Sequence, residues 1–334
     1  MRQRVTASTG VVALVAVVFA LNFYRLPVVA LTPGPAEDVL TRVKVRGGTP
    51  VYDSKGRLYL TSVGIDDDVR FYEALLDFAN RDVQLRPRTE VFPESETSDE
   101  VDRRNVADMV NSKSTATVVA LRELGYSIEP SGVEVDDVVA GTPAAGRLEA
   151  GDLILAVDGH AVTSTDQVRT AITRHRVGDR VDFRVERDKR RSAVRVQVGA
   201  VEGEPRVGVV LRDRFPAPPV EVTIETENIG GPSAGLIFTL AIIDRLSAED
   251  LTGGRRIAGT GEIALDGEVL PIGGVVEKLV AARRQGATVF LVPRDNCPDI
   301  RGARIPAGLR VVQVATVDDA LRFLRQPAAG ATGC

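Results

Sequence analysis

The sequence predicts an α/β (α+β) chain led by a transmembrane helix, and three observations carry that prediction. Residues 203–326 alternate short β-branched runs with amphipathic segments, residues 125–202 are rich in strand signals, and VTASTGVVALVAVVFALNFY, between Arg4 and Arg25, holds 20 residues without a charge. At 334 residues the chain can bury two cores of ordinary size. A hydrophobic fraction of 44%, a charged fraction of 26% and a net charge of -4 fit a globular protein and argue against nucleic-acid binding. Two histidines, His160 and His175, and two cysteines in no CxxC pair give a metal site almost no material.

Residues 1–25 read as a short cytoplasmic stub and a single-pass membrane anchor, because 20 helical residues at about 1.5 Å each span roughly 30 Å. Arg2 and Arg4 favour a cytoplasmic N-terminus, leaving the rest of the chain outside the cytoplasm at the cell membrane. A cleaved signal peptide is the competing reading, but the apolar stretch is long and no clear A-x-A site follows it.

In residues 26–65, LTPGPAEDVL carries prolines and a glycine, and VKVRGG and GRLYLTSVGI read as strands around the turn-like DSKG. Residues 66–124 turn helical in FYEALLDFA and NVADMVNSKSTATVVALREL, with RPRTEVFPESETSDEVDRR between them as an exposed loop. Residues 125–202 return to strands around one clear helix, STDQVRTAITRH, where Ser164 and Gln167 have capping-box spacing and Val168 and Ile172 share a face. The α/β stretch 203–326 follows, and 327–334 is a tail.

The string GTPAAGRLEAGDLILAVDG in the strand-rich module resembles a PDZ domain of the kind attached to bacterial proteases. Taken singly, Gly151, Asp152, Asp158 and Gly159 are ordinary turn residues, and only their order carries the resemblance. It implies a β-rich fold with two helices that binds an extended peptide by strand addition. The groove helix would be Ser164–His175, with Val168 and Ile172, and the carboxylate loop would fall near Leu124, Gly125 and Tyr126.

The segment NIGGPSAGLIFTLAIIDRL places a glycine turn before an apolar helix, with Pro232 suited to the first helical position and Ser233 in the first turn. Free amides at a helix start suit an oxyanion, though a capping serine on a tight turn explains GPSAG equally well. In TGEIALDGEVLPIGGVVEKLVAARRQG, Asp266-Gly267 reads as a hairpin turn, Gly273-Gly274 opens a helix and Gly286 closes it. Lys278 borders the apolar stripe of Val275, Leu279 and Ala282, where partial burial would lower its pKa and let it take the Ser233 proton. A solvated helix residue is the bland alternative. Both histidines lie in the PDZ-like module, so any serine chemistry must use a base other than histidine.

GGPSAG and TGEIALDGEVLPIGGVVEKLVAA together resemble the Lon peptidase family over about 120 C-terminal residues, and GRLYLTSV resembles an early strand of the same domain. The resemblance implies a Lon-type proteolytic domain split by the helical segment and the PDZ, with Ser233 as nucleophile, Lys278 as general base, Thr260 orienting the lysine and Gly231 serving turn and oxyanion. It implies no cofactor, and it leaves two states of assembly open: the ring, usually hexameric, that Lon-like peptidase domains form, or an anchored, motorless chain that assembles weakly or only on substrate. Many ATP-dependent members have an acidic residue where this chain has Gly230, and no GxxxxGK[ST] loop occurs in the sequence. The expected function is therefore an ATP-independent serine endopeptidase acting on peptides or unfolded segments recognised by the PDZ. A non-catalytic PDZ scaffold binding extracytoplasmic peptide tails is the alternative.

Overall fold

The computed structural model describes residues 25–80, 82–92, 98–201, 204–226, 229–326 and 333–334. The expected anchor lies outside these residues, and none of the described helices is long and apolar enough to cross a membrane. The described residues form two compact units, 25–125 with 220–334, and Tyr126–Pro219. The first unit opens with β1 (Val28–Asp38), β2 (Val43–Arg46), β3 (Arg57–Asp66), α1 (Phe71–Ala79), β4 (Gln84–Pro87), the single turn α2 (Arg88–Val91) and the long α3 (Ser98–Glu123). The second holds β5 (Gly132–Val138), β6 (Leu153–Val157), β7 (His160–Ala161), α4 (Thr165–Thr173), β8 (Arg180–Arg187), β9 (Arg190–Gln197), β10 (Gly199–Val201), β11 (Glu204–Arg206) and β12 (Val209–Arg214). The chain then re-enters the first unit through β13 (Glu221–Ile224), α5 (Gly235–Leu246), β14 (Arg256–Gly259), β15 (Glu262–Ile263), β16 (Val269–Leu270), α6 (Val275–Arg284), β17 (Val289–Pro293), α7 (Cys297–Ile300), β18 (Arg310–Val314) and α8 (Val317–Arg325).

The first unit is built on a six-stranded sheet in the order β18-β17-β14-β3-β1-β4. β3, β14, β17 and β18 run parallel, while β1 and β4 add antiparallel partners at one side. Alternation in β3 sorts the two faces: Leu58 and Leu60 join the core under α5, α3 and α8, whereas Tyr59 joins Val275, Leu279 and Ala282 of α6 on the other. Helix α5 is apolar nearly all round and buried from Gly235 to Asp244, so each of its large side chains adds roughly 1.5–3 kcal/mol of burial. The sheet is assembled from two chain segments, with Tyr126–Pro219 inserted between them.

β1 carries Pro33, Gly34 and Pro35 inside a strand, which the prolines had obscured. The ladder to β3 shifts between Pro33 and Ala36, and β4 pairs only with Val28–Leu31, so neither proline must donate to a second neighbour. The stretch read as one exposed loop, residues 86–104, contains the end of β4, all of α2 and the first seven residues of α3 among its described residues.

In the second unit the sheet order is β12-β5-β6-β8-β9, over a core that includes Val135, Ile154, Val168, Ile172 and Phe183. Ser164 Oγ caps α4 by accepting from Gln167 N at 3.4 Å, while Gln167 Oε1 accepts from Thr163 N, one residue earlier than a capping box requires. Two expectations are corrected here. The second helix of the module is a series of turns through Thr142–Leu148, punctuated by Gly141 and Gly146 at φ +77° and +72°. The module also runs past residue 202, because β12 closes against β5.

Candidate active site

Ser233 stands on a turn before α5, whose first helical residue is Gly235 and whose cap is Ala234; Pro232 is therefore not the helix's first residue. Gly231 adopts φ +84°, where a side chain would be strained, and its N–H donates to the Asn105 carbonyl of α3 at 2.8 Å. That amide is engaged in the fold, which corrects the expectation that Gly231 would help hold an oxyanion. The Ser233 carbonyl accepts from Gly261 N at 2.8 Å and from Thr260 Oγ1 at 3.0 Å. Ser112 Oγ of α3 donates to the Pro232 carbonyl at 3.0 Å, so the turn is held from two sides.

Lys278 reaches the same point from α6. Its helix starts at Gly274, which caps it at φ +66°, and an added Cβ there would lie 2.6 Å from Val63 Cγ2. Buried Asn296 fixes the entry to that helix by accepting from Ile272 N at 2.9 Å and donating to the Ile272 carbonyl at 2.8 Å. The Lys278 Nζ lies 2.7 Å from Ser233 Oγ and 3.0 Å from Thr260 Oγ1. Thr260 is fully buried and Lys278 is 3% exposed, a deeper position than the core border suggested, whereas Ser233 is only half-buried. The serine can thus meet a ligand while the amine behind it stays dry.

Burial pushes the Lys278 amine down to about 7, and the neighbouring Glu277 opposes that shift only in part. Glu277 is itself buried and its carboxyl is raised by desolvation, which weakens it as a counter-charge. An amine that loses its proton near neutrality, in contact with a hydroxyl, is a base positioned for that hydroxyl. Glu262 and Asp266 belong to the β15-β16 hairpin, where Asp266 Oδ1 accepts from Glu268 N. His160 and His175 sit in the second unit, His175 paired with Asp158 at 2.7 Å.

Asn105, Ser112 and Asn296 lie outside the sequence motifs that carry Ser233 and Lys278. The first two lie on a helix far from the motifs in sequence. A Cβ on Gly230 would stand 2.8 Å from Asn105 Cβ, so α3 occupies the space that a side chain at this position would need.

In the second unit a cavity of about 280 Å³ lies between Thr165, Arg169 and Ile172 of α4 and Val207, Gly208 and Val209 ahead of and on β12. β12 is the edge strand beside it, paired among the described residues with β5 alone. Ile172 faces this cavity while Val168 is wholly buried in the core. Leu124, Gly125 and Tyr126 do not line it: Leu124 packs on the core of the first unit, and Gly125, at φ +87°, ends α3. The loop that precedes the edge strand comes last in this module instead of first. Its signal was the alternating run VGVVLRDR after an apolar-glycine step.

The profile described as the Lon protease (S16) C-terminal proteolytic domain matches residues 225–326, and a PDZ domain profile matches residues 104–198. Both domains are present in this chain. Lon protease 3 of Sorangium cellulosum is 44% identical over 94 residues, 28% of this chain and 11% of that protein. The Lon protease of Azospirillum brasilense is 45% identical over 96 residues, again 28% and 11%. The chain thus spans about a ninth of the length of these relatives. Among solved structures, the PDZ domain of an SdrC-like protein from Listeria monocytogenes is 31% identical, covering 26% of this chain and 93% of that one, with a TM-score of 0.24.

Proposed function

We propose that this chain is an ATP-independent serine endopeptidase that works through a Ser233-Lys278 dyad on peptides or unfolded segments outside the cytoplasm. The observation that carries the reading is the 2.7 Å approach of a buried amine, titrating near 7, to a half-buried serine hydroxyl. In the neutral state Lys278 takes the Ser233 proton as Oγ attacks a peptide carbonyl, and the ammonium then protonates the leaving amine. Thr260 accepts one Lys278 N–H and donates its own hydroxyl hydrogen to the Ser233 carbonyl, which turns the amine's lone pair toward Oγ. Among the described residues the amides of Ser233 and Ala234 donate to no protein acceptor, so they can hold the oxyanion. Water resolves the acyl-enzyme by the same proton path in reverse.

The cleft beside β12 serves substrate recognition: an extended peptide adds to that edge and sets a side chain against Ile172. The apolar run before Arg25 anchors the chain with its folded part outside the cytoplasm. A disulfide joins Cys297 to Cys334, a bond that persists in oxidising compartments and supports that side of the membrane.

The test is cleavage of an unstructured protein such as casein by the full chain without nucleotide. Ser233→Ala and Lys278→Ala should each abolish it, and the wild-type rate should climb with pH through about 7 as Lys278 loses its proton. Cleavage that survives both substitutions would sink the dyad.

A further inference from the structure

Helix α1 is built inside out. Over FYEALLDFA the side chains that turn toward the protein are Glu73, Ala74 and Asp77, all partly buried, while the large apolar ones face solvent. Leu75, Leu76 and Phe78 are 64%, 65% and 84% exposed, and Phe71 and Tyr72 stand out beside them. Burial raises the Asp77 carboxyl, as expected for an acid on the inner face. A surface helix normally does the reverse, and a contiguous apolar face of this kind marks a surface that something else covers.

What covers it follows from where the helix sits. Its cap, Arg70, forms an antiparallel bridge with Arg25, and Leu26 N donates to the Val69 carbonyl at 3.0 Å. Arg25 also pairs with Asp68 at 2.8 Å. The start of α1 is therefore held within about 5 Å, one strand spacing, of Arg25, the residue that follows the charge-free run 5–24. If that run crosses a bilayer, its exit point and α1 share one patch of lipid surface. Phe, Tyr and Leu on one side of a short helix are the chemistry that settles at the headgroup boundary. The carboxylates, which an anionic surface would repel, are on the far side of the helix.

We propose that α1 is an interfacial helix whose Phe71, Leu75, Leu76 and Phe78 insert into the outer boundary of the same bilayer that the N-terminal run spans. This rests on the anchored reading above. The bilayer then holds the first unit by two contacts, one through the span and one along the helix.

The sequence contains no tryptophan, so one introduced residue reports on one place. The full chain bearing Phe78→Trp, and separately Leu75→Trp, is reconstituted into phosphatidylcholine-phosphatidylglycerol vesicles. The control is Ile305→Trp, exposed on the loop before β18 at the opposite sheet edge from β4. Expected are blue-shifted emission and quenching by phosphatidylcholine brominated near the glycerol end for the two α1 positions, with the control open to aqueous iodide. Vesicle flotation resistant to alkaline carbonate reads the anchor on its own. A chain that fails to float overturns the anchor and this proposal with it. A chain that floats while the indole introduced at either α1 position stays as open to iodide as the control overturns the interfacial helix alone. A blue shift without bromolipid quenching also overturns it, since α1 would then lie against protein.

Discussion

An amine that is 3% exposed and titrates near 7 destabilises the fold at the pH where it works. Its folded pKa lies below the ordinary lysine value of about 10.4, so from about 7 to about 10.4 the unfolded chain holds more protons and stability rises with pH. Below about 7 the penalty is present in full, roughly 3–5 kcal/mol. Lys278→Met removes the charge and keeps the volume: activity should vanish while stability at pH 7 rises by about 1–4 kcal/mol, an advantage that fades toward pH 10 in urea titrations. Thr260→Val deletes the hydroxyl that accepts from the Lys278 amine, the contact proposed to orient it. It should lower kcat about 10- to 100-fold with little change in KM, the worth of one hydrogen bond to a charged group. Ser233, Lys278 and Thr260 were all legible in the motifs. The burial that lowers the lysine's pKa was legible only as an apolar stripe on one helix, because the residues that complete its enclosure come from other strands.

At the scale of elements, helix α3 braces the serine turn through backbone and side chain together. Gly230→Ala would push a Cβ to 2.8 Å from Asn105 Cβ and should destabilise the first unit by about 1–3 kcal/mol. Asn105→Gly in the same chain should recover part of that loss, and a double-mutant cycle read by thermal unfolding would measure the coupling. Gly274→Ala would be strained at φ +66° and would press on Val63; it should depress kcat as well as stability, because Lys278 rides on the helix that Gly274 starts. Helices α4, α5 and α6 and the Asp266-Gly267 hairpin were readable from caps and period. β1 was hidden by its prolines, and β12 by coming last in a module whose binding edge was sought at its beginning. Those are failures of topology, since pairing partners are not written in local sequence.

The whole molecule is closed by a bond that sequence alone did not disclose. The Cys297-Cys334 bridge spans 37 residues and ties the end of the chain to α7, which chain-entropy arguments value at about 2–4 kcal/mol. Dithiothreitol or Cys334→Ser should lower the melting temperature by a few degrees while leaving Ser233 and Lys278 in register, so that cleavage at moderate temperature persists. The sheet of the first unit has a different kind of closure. Arg57 of β3 pairs with Arg256 of β14, and everything between them, including the entire second unit, must be synthesised first. At 5–20 residues per second that wait is roughly 10–40 s, during which β1 and β3 leave a bare sheet edge. The second unit can fold in that interval and the first cannot. A nascent chain therefore completes residues 126–219 while Ser233 and Lys278 are still apart, and any chemistry that needs the two together starts only after the last strands of the first unit have joined.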